Sequence, residues 1–481
     1  MSIWQRQVIQ NPPWQVFWVY LPETGDYTKD YKEAGRRLDA LKHSRLFSQS
    51  EEDGEKDSLS GQRSALRNAK CKTSKEYWKE VSKKFTAAQV KPDGKERLDS
   101  IGLIKRFAEL SRVRSFPSTS TVAGWDFYRL AKEDAKPELA AYRDELANLK
   151  LYRARGFDSD FPYDFDLFFK ETLTAKRMED SYGIKVTEKD LTAAKSRLDG
   201  LVKKVGFAPS PYYAILLLDG DGIGKKLDEM KGKNASGEAF HRQFSQRLSQ
   251  FAAKTIEIVQ AEQGGFLVYN GGDDVLLLAS LQAAIRLAQK LAQAYRQAFA
   301  GLVEASLSGA VLIAHHLSPL SRVLADLRAA EKHAKAVQKD DWGNKDTLCV
   351  GLSKRGGEPL LARSRWKAVE DFETAWVSPF REGQLANSLP YLLRDDLRVA
   401  NTLEEKAVSA LLCYRFRRQA SESFKKEAQS LAERWVDWAK SIEEKLSGSS
   451  KSHTEETRRQ AFEEAVNWLV IARFLGQGGK E

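Results

Sequence analysis

Two acidic turns decide the fold of this chain, LLDGDGIGK at residues 217–225 and YNGGDDV at residues 269–275. Each turn follows a short apolar run that is typical of a β-strand, at residues 212–218 and 266–269. Carboxylate clusters at neighbouring strand ends are what a protein needs to hold two divalent cations against a nucleoside triphosphate. The leading hypothesis from these residues is therefore a nucleotidyl-transfer site.

Working outward from the two turns, residues 205–355 alternate between strand-like and helix-like patterns. The predicted elements are strand 212–218, helix 237–260, hairpin 266–279 with its turn at Gly271-Gly272, helix 281–299 and strand 306–314. A helix opened by Ser318-Pro319, as cap and first helical residue, follows. A last strand at 347–352 ends before the breaker Gly356-Gly357. The β-α-β-β-α-β order predicts the ferredoxin-like, or palm, arrangement.

The two helices inside this region have apolar faces at helical spacing. On the first helix the predicted face is Phe240, Phe244, Leu248, Phe251 and Ile256. On the second helix it is Leu281, Ile285, Ala288, Ala292, Tyr295 and Phe299. Both faces are expected to pack against the sheet.

The flanking regions have different patterns. Residues 15–20 predict one strong strand, 28–47 a helix, and 48–64 a polar loop. Residues 75–204 are charged and mostly helical in pattern, and 360–481 return to helical patterns. The predicted fold class is therefore α+β, with a ferredoxin-like palm embedded between helical domains.

Four aspartates are the candidate metal ligands: Asp219, Asp221, Asp273 and Asp274. Asp219 and Asp221 lie two residues apart where a strand ends, so both leave the same face if the strand continues. Asp273 and Asp274 follow the two-glycine turn and are also the candidate catalytic residues. Either turn alone is more often a surface turn with solvated acids. Together, at this spacing and in this element order, they favour a cation site.

Glycines beside the acids would let the backbone approach a triphosphate, with amide groups free to donate. The candidate nucleotide-binding residues are Gly220, Gly222, Ile223, Gly224, Gly271, Gly272, Ser308, Lys335 and Lys345. The two lysines would bind the triphosphate as point charges. For a lone lysine a solvated surface cation is the commoner role, and Ser308 is also consistent with a small-residue contact inside the sheet.

The composition sets wider limits. The chain has 481 residues, 42% of them hydrophobic and 30% charged, and a net charge of +10, which is compatible with a nucleic-acid partner without requiring one. No apolar run approaches the roughly 18 residues of a membrane helix, so no membrane partner is expected. The three cysteines, Cys71, Cys349 and Cys413, form neither a metal spacing nor a disulfide framework, which fits a reducing cytoplasm.

The sequence resembles a known family at several motifs. These are DGDGIGK at 219–225, GGDD at 271–274, SLSGA at 306–310, residues 316–320 and the Ala334-Lys335 helix. They are similar to the palm domain of the large subunit of type III CRISPR effector complexes. Within that family WVY at 18–20, LDALKHSR at 38–45, KDSLSGQR at 56–63 and ARFL at 472–475 resemble the Cmr-type, or III-B, branch.

The resemblance implies a palm that makes cyclic oligoadenylate second messengers from ATP when the complex holds a target RNA. It implies Mg²⁺ or Mn²⁺ as two divalent cations, other type III subunits and a guide RNA as partners, and a role in antiviral defence. The expected domains are a partial first palm-like unit at 1–50, a degenerate zinc-finger loop at 51–75, a helical domain at 76–204, the GGDD palm at 205–356 and a C-terminal helical domain at 357–481.

The chain departs from the family pattern in three places. The family's paired finger cysteines are Asp57 and Ser60 here, so no zinc is expected. None of the six histidines precedes an aspartate, so the HD nuclease domain of many relatives is expected to be missing. Few residues precede the first family-like strand, so the first palm is expected to be incomplete and to be completed by a separate chain.

Two alternatives to a cyclic oligoadenylate synthase remain at this point. The chain is also compatible with a catalytically silent structural subunit of a CRISPR ribonucleoprotein, although intact acids argue against it. It is compatible with another nucleotide cyclase or polymerase. Val275 follows the two aspartates where related diguanylate cyclases carry Glu-Phe, which makes diguanylate synthesis a weaker alternative.

The finger positions give a direct prediction about zinc. Asp57 and Ser60 offer no thiolate ligand, and a carboxylate with a hydroxyl does not make a tetrahedral structural site. Elemental analysis of the untagged protein should therefore give well below one zinc per chain. Stoichiometric zinc that survives dialysis against a chelator would show that this reading of the loop is wrong.

Overall fold

A six-stranded mixed sheet forms the centre of the palm in this computed structural model. The strands are β1 Tyr212–Gly220, β2 Gly265–Asn270, β3 Val275–Ala279, β4 Leu307–His315, β5 Thr347–Ser353 and β6 Leu360–Arg365. Their spatial order is β2-β3-β1-β4-β5-β6. All neighbours are antiparallel except β4 and β5, which run parallel. The first four strands have the ferredoxin-like arrangement, as predicted.

The structure describes residues 2–12, 14–44, 52–68, 70–85, 89–107, 116–151, 158–229, 237–336, 345–400, 405–447 and 455–479. The end of the predicted helix 28–47 and the start of the predicted loop 48–64 lie outside these residues. The described chain forms two compact units. One contains Met1–Phe116, Leu130–Phe207 and Asn234–Glu238, and the other contains Pro117–Arg129, Ala208–Lys233 and Ala239–Glu481.

Helices make up most of the rest of the described chain. Before the sheet they are α1 Ile3–Gln5, α2 Tyr27–His43, α3 Ser74–Ser82, α4 Ser100–Phe107, α5 Thr119–Ala123, α6 Trp125–Asp134, α7 Lys136–Asn148, α8 Ala175–Arg177 and α9 Thr192–Val205. Among the strands they are α10 Ile223–Glu229, α11 Gly237–Ala261, α12 Leu281–Phe299 and α13 Leu320–Lys335. After β6 they are α14 Ser378–Arg381, α15 Leu389–Ala400, α16 Glu405–Arg418, α17 Lys425–Ser447 and α18 Glu455–Gly476.

The apolar face of α12 is confirmed, because all six residues predicted for it are buried. On α11 the prediction holds for Phe244 and Phe251 but is wrong for Ile256, which is 44% exposed. Thr255, one position earlier, is fully buried instead. The face of α11 continues at helical spacing to Val259, and Ile256 lies about 100° away around the helix axis.

The predicted strand at 15–20 is wrong, because these residues form no strand in the structure. A strand exists only where its backbone finds a partner, and no described strand pairs with this segment. Val16, Trp18 and Tyr20 are at least 75% exposed. The next helix, α2, is confirmed at Tyr27–His43, but none of its residues is buried.

Strand 347–352 is not the last strand, because β6 follows it and pairs antiparallel with β5. Its sequence, LLARSR, carries two arginines and a serine, and these polar residues interrupt the apolar pattern that predicts a core strand. Ser318 is not the cap of α13, since Pro319 occupies the cap position and no side chain caps the helix. The Ser318 amide instead donates to the carbonyl of His315 and closes the turn after β4.

Side chains of α18 cover the outer edge of β6. The Asn467 amide donates to the carbonyl of Leu361 at 2.8 Å, and the Trp468 indole donates to the carbonyl of Arg363 at 3.0 Å. The backbone N–H of Arg363 donates to Glu464 at 2.8 Å. Because these helix residues are spaced by three and four, they lie on one face of α18 and meet alternate residues of the strand. The edge therefore has partners for its backbone groups.

The loop that contains Asp57 and Ser60 is held by hydrogen bonds. The Asp57 carboxylate accepts from the amides of Leu59 and Ser60 and from the Ser60 hydroxyl, at 2.7–2.9 Å. Burial raises the pKa of Asp57, but these hydrogen bonds outweigh it, and the net pKa lies below the usual value. The carboxylate thus organises its own turn. The absence of zinc stays a prediction.

Candidate active site

Strand pairing brings the two acidic turns together. Leu218 on β1 lies opposite Val275 on β3, so the next residue on β1, Asp219, meets the turn that carries Asp273 and Asp274. Oxygen atoms of these three carboxylates all lie within 4.8 Å of one another. Within the described ranges this is the one group of three or more acids, histidines or cysteines with metal-ligand geometry. The predicted convergence of Asp219, Asp273 and Asp274 is therefore present.

The three carboxylates do not carry full charge together. A hydrogen bond to Asp219, burial and the neighbouring negative charges raise the pKa of Asp274 to about 7. Burial is also the main reason that the pKa of Asp273 is raised. At Asp219 burial acts in the same direction, but hydrogen bonds from Asp274 and Lys335 outweigh it and lower the pKa. Below neutral pH one proton is therefore shared between Asp219 and Asp274.

Lys335 supplies the main positive charge of the site. Its ammonium contacts the Asp219 carboxylate and lies 2.6 Å from Glu331, one turn earlier on α13. Burial lowers the pKa of Lys335, but the hydrogen bonds to Asp219 and Glu331 raise it more, so the net pKa is above its usual value. Lys345 lies close enough to help lower the pKa of Asp219. Both predicted lysines therefore act on the carboxylate group.

Asp221 has a different environment from the other three acids. One of its oxygens accepts from the Ser306 and Ser308 hydroxyls at 2.8 and 2.9 Å and from the Asp346 amide at 3.0 Å. Its side chain lies outside the three-carboxylate group. Its other oxygen, Oδ1, is buried and has no hydrogen-bond partner among the described residues. A buried carboxylate oxygen without a partner is unfavourable, and a cation or its bound water would satisfy it.

Ser308 lies beneath Asp221 and has no exposed surface. Its hydroxyl donates to Asp221 and accepts from the Thr347 amide at 3.1 Å. The structure thus gives Ser308 contacts that orient Asp221 and tie β4 to β5. A nucleotide would have to reach it through Asp221.

The first turn needs glycine for close packing. A Cβ at Gly220 would lie 2.5 Å from the Ile223 side chain, 2.7 Å from the Tyr295 hydroxyl and 3.0 Å from the Asp273 Cβ. Only a residue without a Cβ lets β1 approach Asp273 this closely. Ile223 itself begins α10 and packs on the core.

The remaining glycines shape the two turns. Gly222 and Gly272 have φ values of +63° and +100°, which favour glycine in both turns. Gly224 faces open space, and Gly271 lies against the ring of Tyr269. The predicted nucleotide-binding glycines therefore form the backbone around the acids.

Sequence reasoning missed three residues that shape the site: Glu331, Ser306 and Tyr295. Glu331 lies four residues before Lys335, a spacing that indicates an ion pair on a helix. Ser306 lies two residues before Ser308, so both hydroxyls point the same way from the strand. Tyr295 belongs to the apolar stripe of α12, and nothing in that pattern distinguishes a tyrosine near the acids from any other core residue.

The residues fit a divalent cation. Three carboxylates within 4.8 Å form a hard, all-oxygen donor set, which suits a divalent cation such as Mg²⁺ or Mn²⁺. The raised pKa values of Asp273 and Asp274 show how strongly the group needs a positive charge. Asp219, Asp273 and Asp274 would hold the cation.

The palm resembles known proteins in sequence and in fold. Residues 212–345 match the family profile described as "Cas10/Cmr2, second palm domain". The CRISPR system Cmr subunit Cmr2 of Pyrococcus furiosus is 25% identical over 331 residues, which are 62% of this chain and 37% of that relative. This chain therefore spans well under two thirds of the relative's length.

A solved structure has the same fold. A chain of the type III-B Cmr-beta complex bound to cognate target RNA, from a cryo-EM structure, aligns with a TM-score of 0.52 at 14% identity. The alignment covers 82% of this chain and 57% of that chain. The apo state of Cmr-beta gives a TM-score of 0.49 at 15% identity, covering 82% and 56%.

The family profile and the target-RNA-bound structure confirm the predicted α+β fold, with a palm flanked by helical regions. They support the resemblance to the large subunit of Cmr-type complexes. The absence of an HD nuclease domain stays a prediction. A separate finding concerns membranes: within the described ranges, no helix combines the length and the apolar character needed to cross a bilayer.

The shared proton gives a prediction for metal binding. A bound cation needs Asp274 ionised, and the pKa of Asp274 is about 7 in the metal-free protein. Below pH 7 binding must release this proton, so Mn²⁺ affinity should rise by up to about tenfold per pH unit between pH 5.5 and 7 and then level off. Calorimetry at pH 6 in two buffers of different ionisation enthalpy measures the released proton. Binding without proton release at pH 6 would contradict this account of the site.

Tyr295 gives a prediction for stability. Its hydroxyl is buried and has no hydrogen-bond partner among the described residues, and burial with the nearby carboxylates raises its pKa. Because an unpaired buried hydroxyl costs about 1–3 kcal/mol, Tyr295→Phe should leave the free energy of unfolding of the metal-free protein unchanged or raise it.

The matched control for this prediction is Tyr142→Phe. Tyr142 is equally buried, but its hydroxyl donates to the carbonyl of Leu167, so its loss should cost about 1 kcal/mol. Chemical denaturation of both variants measures the difference. A clear loss of stability in Tyr295→Phe would mean that the hydroxyl already has a partner.

Proposed function

We propose that this chain is the large subunit of a Cmr-type CRISPR effector complex, and that its palm is a metal-dependent nucleotidyltransferase that makes cyclic oligoadenylate from ATP when target RNA is bound. The observation that carries the proposal is the convergence of Asp219, Asp273 and Asp274 within 4.8 Å. The match of residues 212–345 to the second palm domain of Cas10/Cmr2 supports it.

The geometry supports a division of roles among the acids. Asp219, Asp273 and Asp274 would hold the divalent cations, with Asp221 beside them. When bound, these cations neutralise phosphate charge and favour the ionised form of the attacking ribose hydroxyl. The rest of the catalysis would be positioning and charge stabilisation of an in-line attack on the α-phosphate.

Lys335 has two successive roles in this proposal. In the metal-free site its ammonium neutralises Asp219. With the carboxylates neutralised by cations, the same ammonium is free to bind triphosphate oxygens as a point charge. Lys345, whose positive charge helps to lower the pKa of Asp219, would assist Lys335 in binding the phosphates. The glycine backbone of both turns leaves room for the phosphates.

The proposed partners are the other type III subunits, a guide RNA and a target RNA. An additional partner would cover the segment 14–20, in which Trp14, Val16, Trp18 and Tyr20 are 59–83% exposed. Aromatic side chains at this exposure are typical of interaction surfaces. We propose that further protein surface packs on this segment in the assembled complex.

A silent structural role is the second candidate. A palm kept only as a scaffold would have no need for three carboxylates whose mutual repulsion must be offset by Lys335 and a shared proton. The catalytic proposal explains that arrangement, and the structural one does not.

The double variant Asp273→Ala/Asp274→Ala tests the catalytic role. It should reduce ATP conversion by the reconstituted, target-RNA-bound complex at least 100-fold, because the cations lose two of three ligands. Complex assembly should be unchanged, since neither side chain is needed for the sheet. Product is measured by mass spectrometry and assembly by size-exclusion chromatography.

The control is Glu455→Ala/Glu456→Ala, which removes two adjacent exposed acids from the first turn of α18. This variant should retain wild-type activity. Wild-type product formation by the Asp273→Ala/Asp274→Ala complex would show that the carboxylate group is not the catalytic site.

A further inference from the structure

A buried ion pair connects the C-terminal helices to the edge of the palm sheet. Arg363 on β6 and Glu464 on α18 are 3% and 4% exposed. The Arg363 guanidinium donates through Nη2 to Glu464 at 2.9 Å, and the Arg363 backbone N–H donates to the other carboxylate oxygen at 2.8 Å. Burial raises the pKa of Glu464, but His333 and Arg363 outweigh it and keep the net pKa low, so both partners are charged.

The same guanidinium also binds the end of a helix. Arg363 Nη1 donates to the backbone carbonyls of His333 and Ala336, at 3.1 and 2.9 Å. The His333 carbonyl belongs to the last turn of α13 and also accepts from the amide of Ala336, the residue that follows the helix. Carbonyl groups at a helix end lack the amide partner that the next turn of helix would provide. A cation at this end also complements the helix dipole. Arg363 therefore holds the C-terminal end of α13.

Lys335 lies inside the segment that Arg363 holds. The two bound carbonyls, of His333 and Ala336, bracket Lys335 in the chain. From this backbone position the Lys335 ammonium contacts Asp219 in the carboxylate group. Small shifts of this turn would move the ammonium directly, since α13 ends at Lys335 and the neighbouring residue Ala336 is extended.

Glu464 is the residue that makes the arrangement possible. An unpaired guanidinium in a buried position would be strongly unfavourable, and Glu464 supplies the opposing charge. Its carboxylate also lies 3.3 Å from the His333 ring, on the same helix turn. Glu464 thus contacts both the arginine and the helix end that the arginine holds, from a separate region of the chain.

We propose that Arg363 and Glu464 are positioning residues that hold the end of α13, and with it Lys335, over the carboxylate group. Helix α18 then supports the site through Glu464, although it contributes no residue to the carboxylate group itself. The part of this inference that concerns triphosphate binding by Lys335 rests on the proposed function. The mechanical part, the holding of α13, does not.

Glu464→Gln in the full chain tests the mechanical part. The amide keeps the shape of the side chain but removes the charge that supports Arg363. Hydrogen exchange of peptides covering residues 326–336, followed by mass spectrometry, should show at least tenfold faster exchange at the end of α13. The double variant Arg363→Met/Glu464→Gln removes both buried charges together, which protects the fold, and should show the same change.

The matched control is Asp396→Asn. Asp396 pairs with Arg415 through two hydrogen bonds, at 2.6 and 2.8 Å, between two helices of the C-terminal region. Loss of this pair should leave exchange at 326–336 unchanged. Unchanged exchange in both Glu464→Gln and the double variant would overturn the proposal.

Binding of α,β-methylene-ATP by the reconstituted, target-RNA-bound complex in the presence of Mn²⁺ tests the link to Lys335. Glu464→Gln should weaken this binding about tenfold, as expected for loss of one charge-assisted hydrogen bond. In a Lys335→Ala background Glu464→Gln should have no further effect, because it acts through Lys335. Asp396→Asn should have no effect in either background.

The outcomes distinguish the holding of α13 from its proposed effect on triphosphate binding by Lys335. If Glu464→Gln weakens α,β-methylene-ATP binding by the same factor in the wild-type and Lys335→Ala backgrounds, the positioning role is overturned and only a structural role is left. If the wild-type, target-RNA-bound complex binds no α,β-methylene-ATP, the proposed function fails, and the exchange measurement still decides whether Arg363 and Glu464 hold α13.

Discussion

Three carboxylates within 4.8 Å are the constraint on which the rest of the palm depends. Such a group is stable only if charge is brought to it, and the structure does so with Lys335 and with a proton shared by Asp219 and Asp274. The close approach of β1 to the second turn is required to form the group, and it is possible only because Gly220 has no Cβ. Asp221 is kept apart by its own hydrogen bonds to two serines.

The position of the Lys335 ammonium depends on residues far from the carboxylate group. Lys335 ends a helix whose last turn is held by Arg363, and Arg363 is neutralised by Glu464 on the C-terminal helix α18. The same helix covers the edge of β6 through Asn467 and Trp468. One hydrophobic core contains residues of both the palm sheet and these helices, so the C-terminal region packs directly on the palm. A site that relies on balanced charges gains from such rigid support, because small displacements change each pKa.

The sequence predicted those features whose signals are local. The stripe of α12, the hairpin at Gly271-Gly272 and the meeting of Asp219 with Asp273 follow from periodicity, turn chemistry and element order. Features that depend on distant partners were missed or wrong. Residues 15–20 have the composition of a strand, but no described strand pairs with them, whereas β6 looks too polar for a core strand. Its Arg363 and Ser364 are buried because Glu464 and Trp438, about 100 and 74 residues away, bind them.

Anomalous diffraction from crystals of the protein soaked with Mn²⁺ and α,β-methylene-ATP tests the central claim most directly. The account predicts a manganese peak bonded to oxygens of Asp219 and Asp273, with the Lys335 ammonium moved from Asp219 toward the phosphates. The contradicting result is full nucleotide and manganese occupancy elsewhere, with Asp219, Asp273 and Asp274 still paired only with one another and with Lys335.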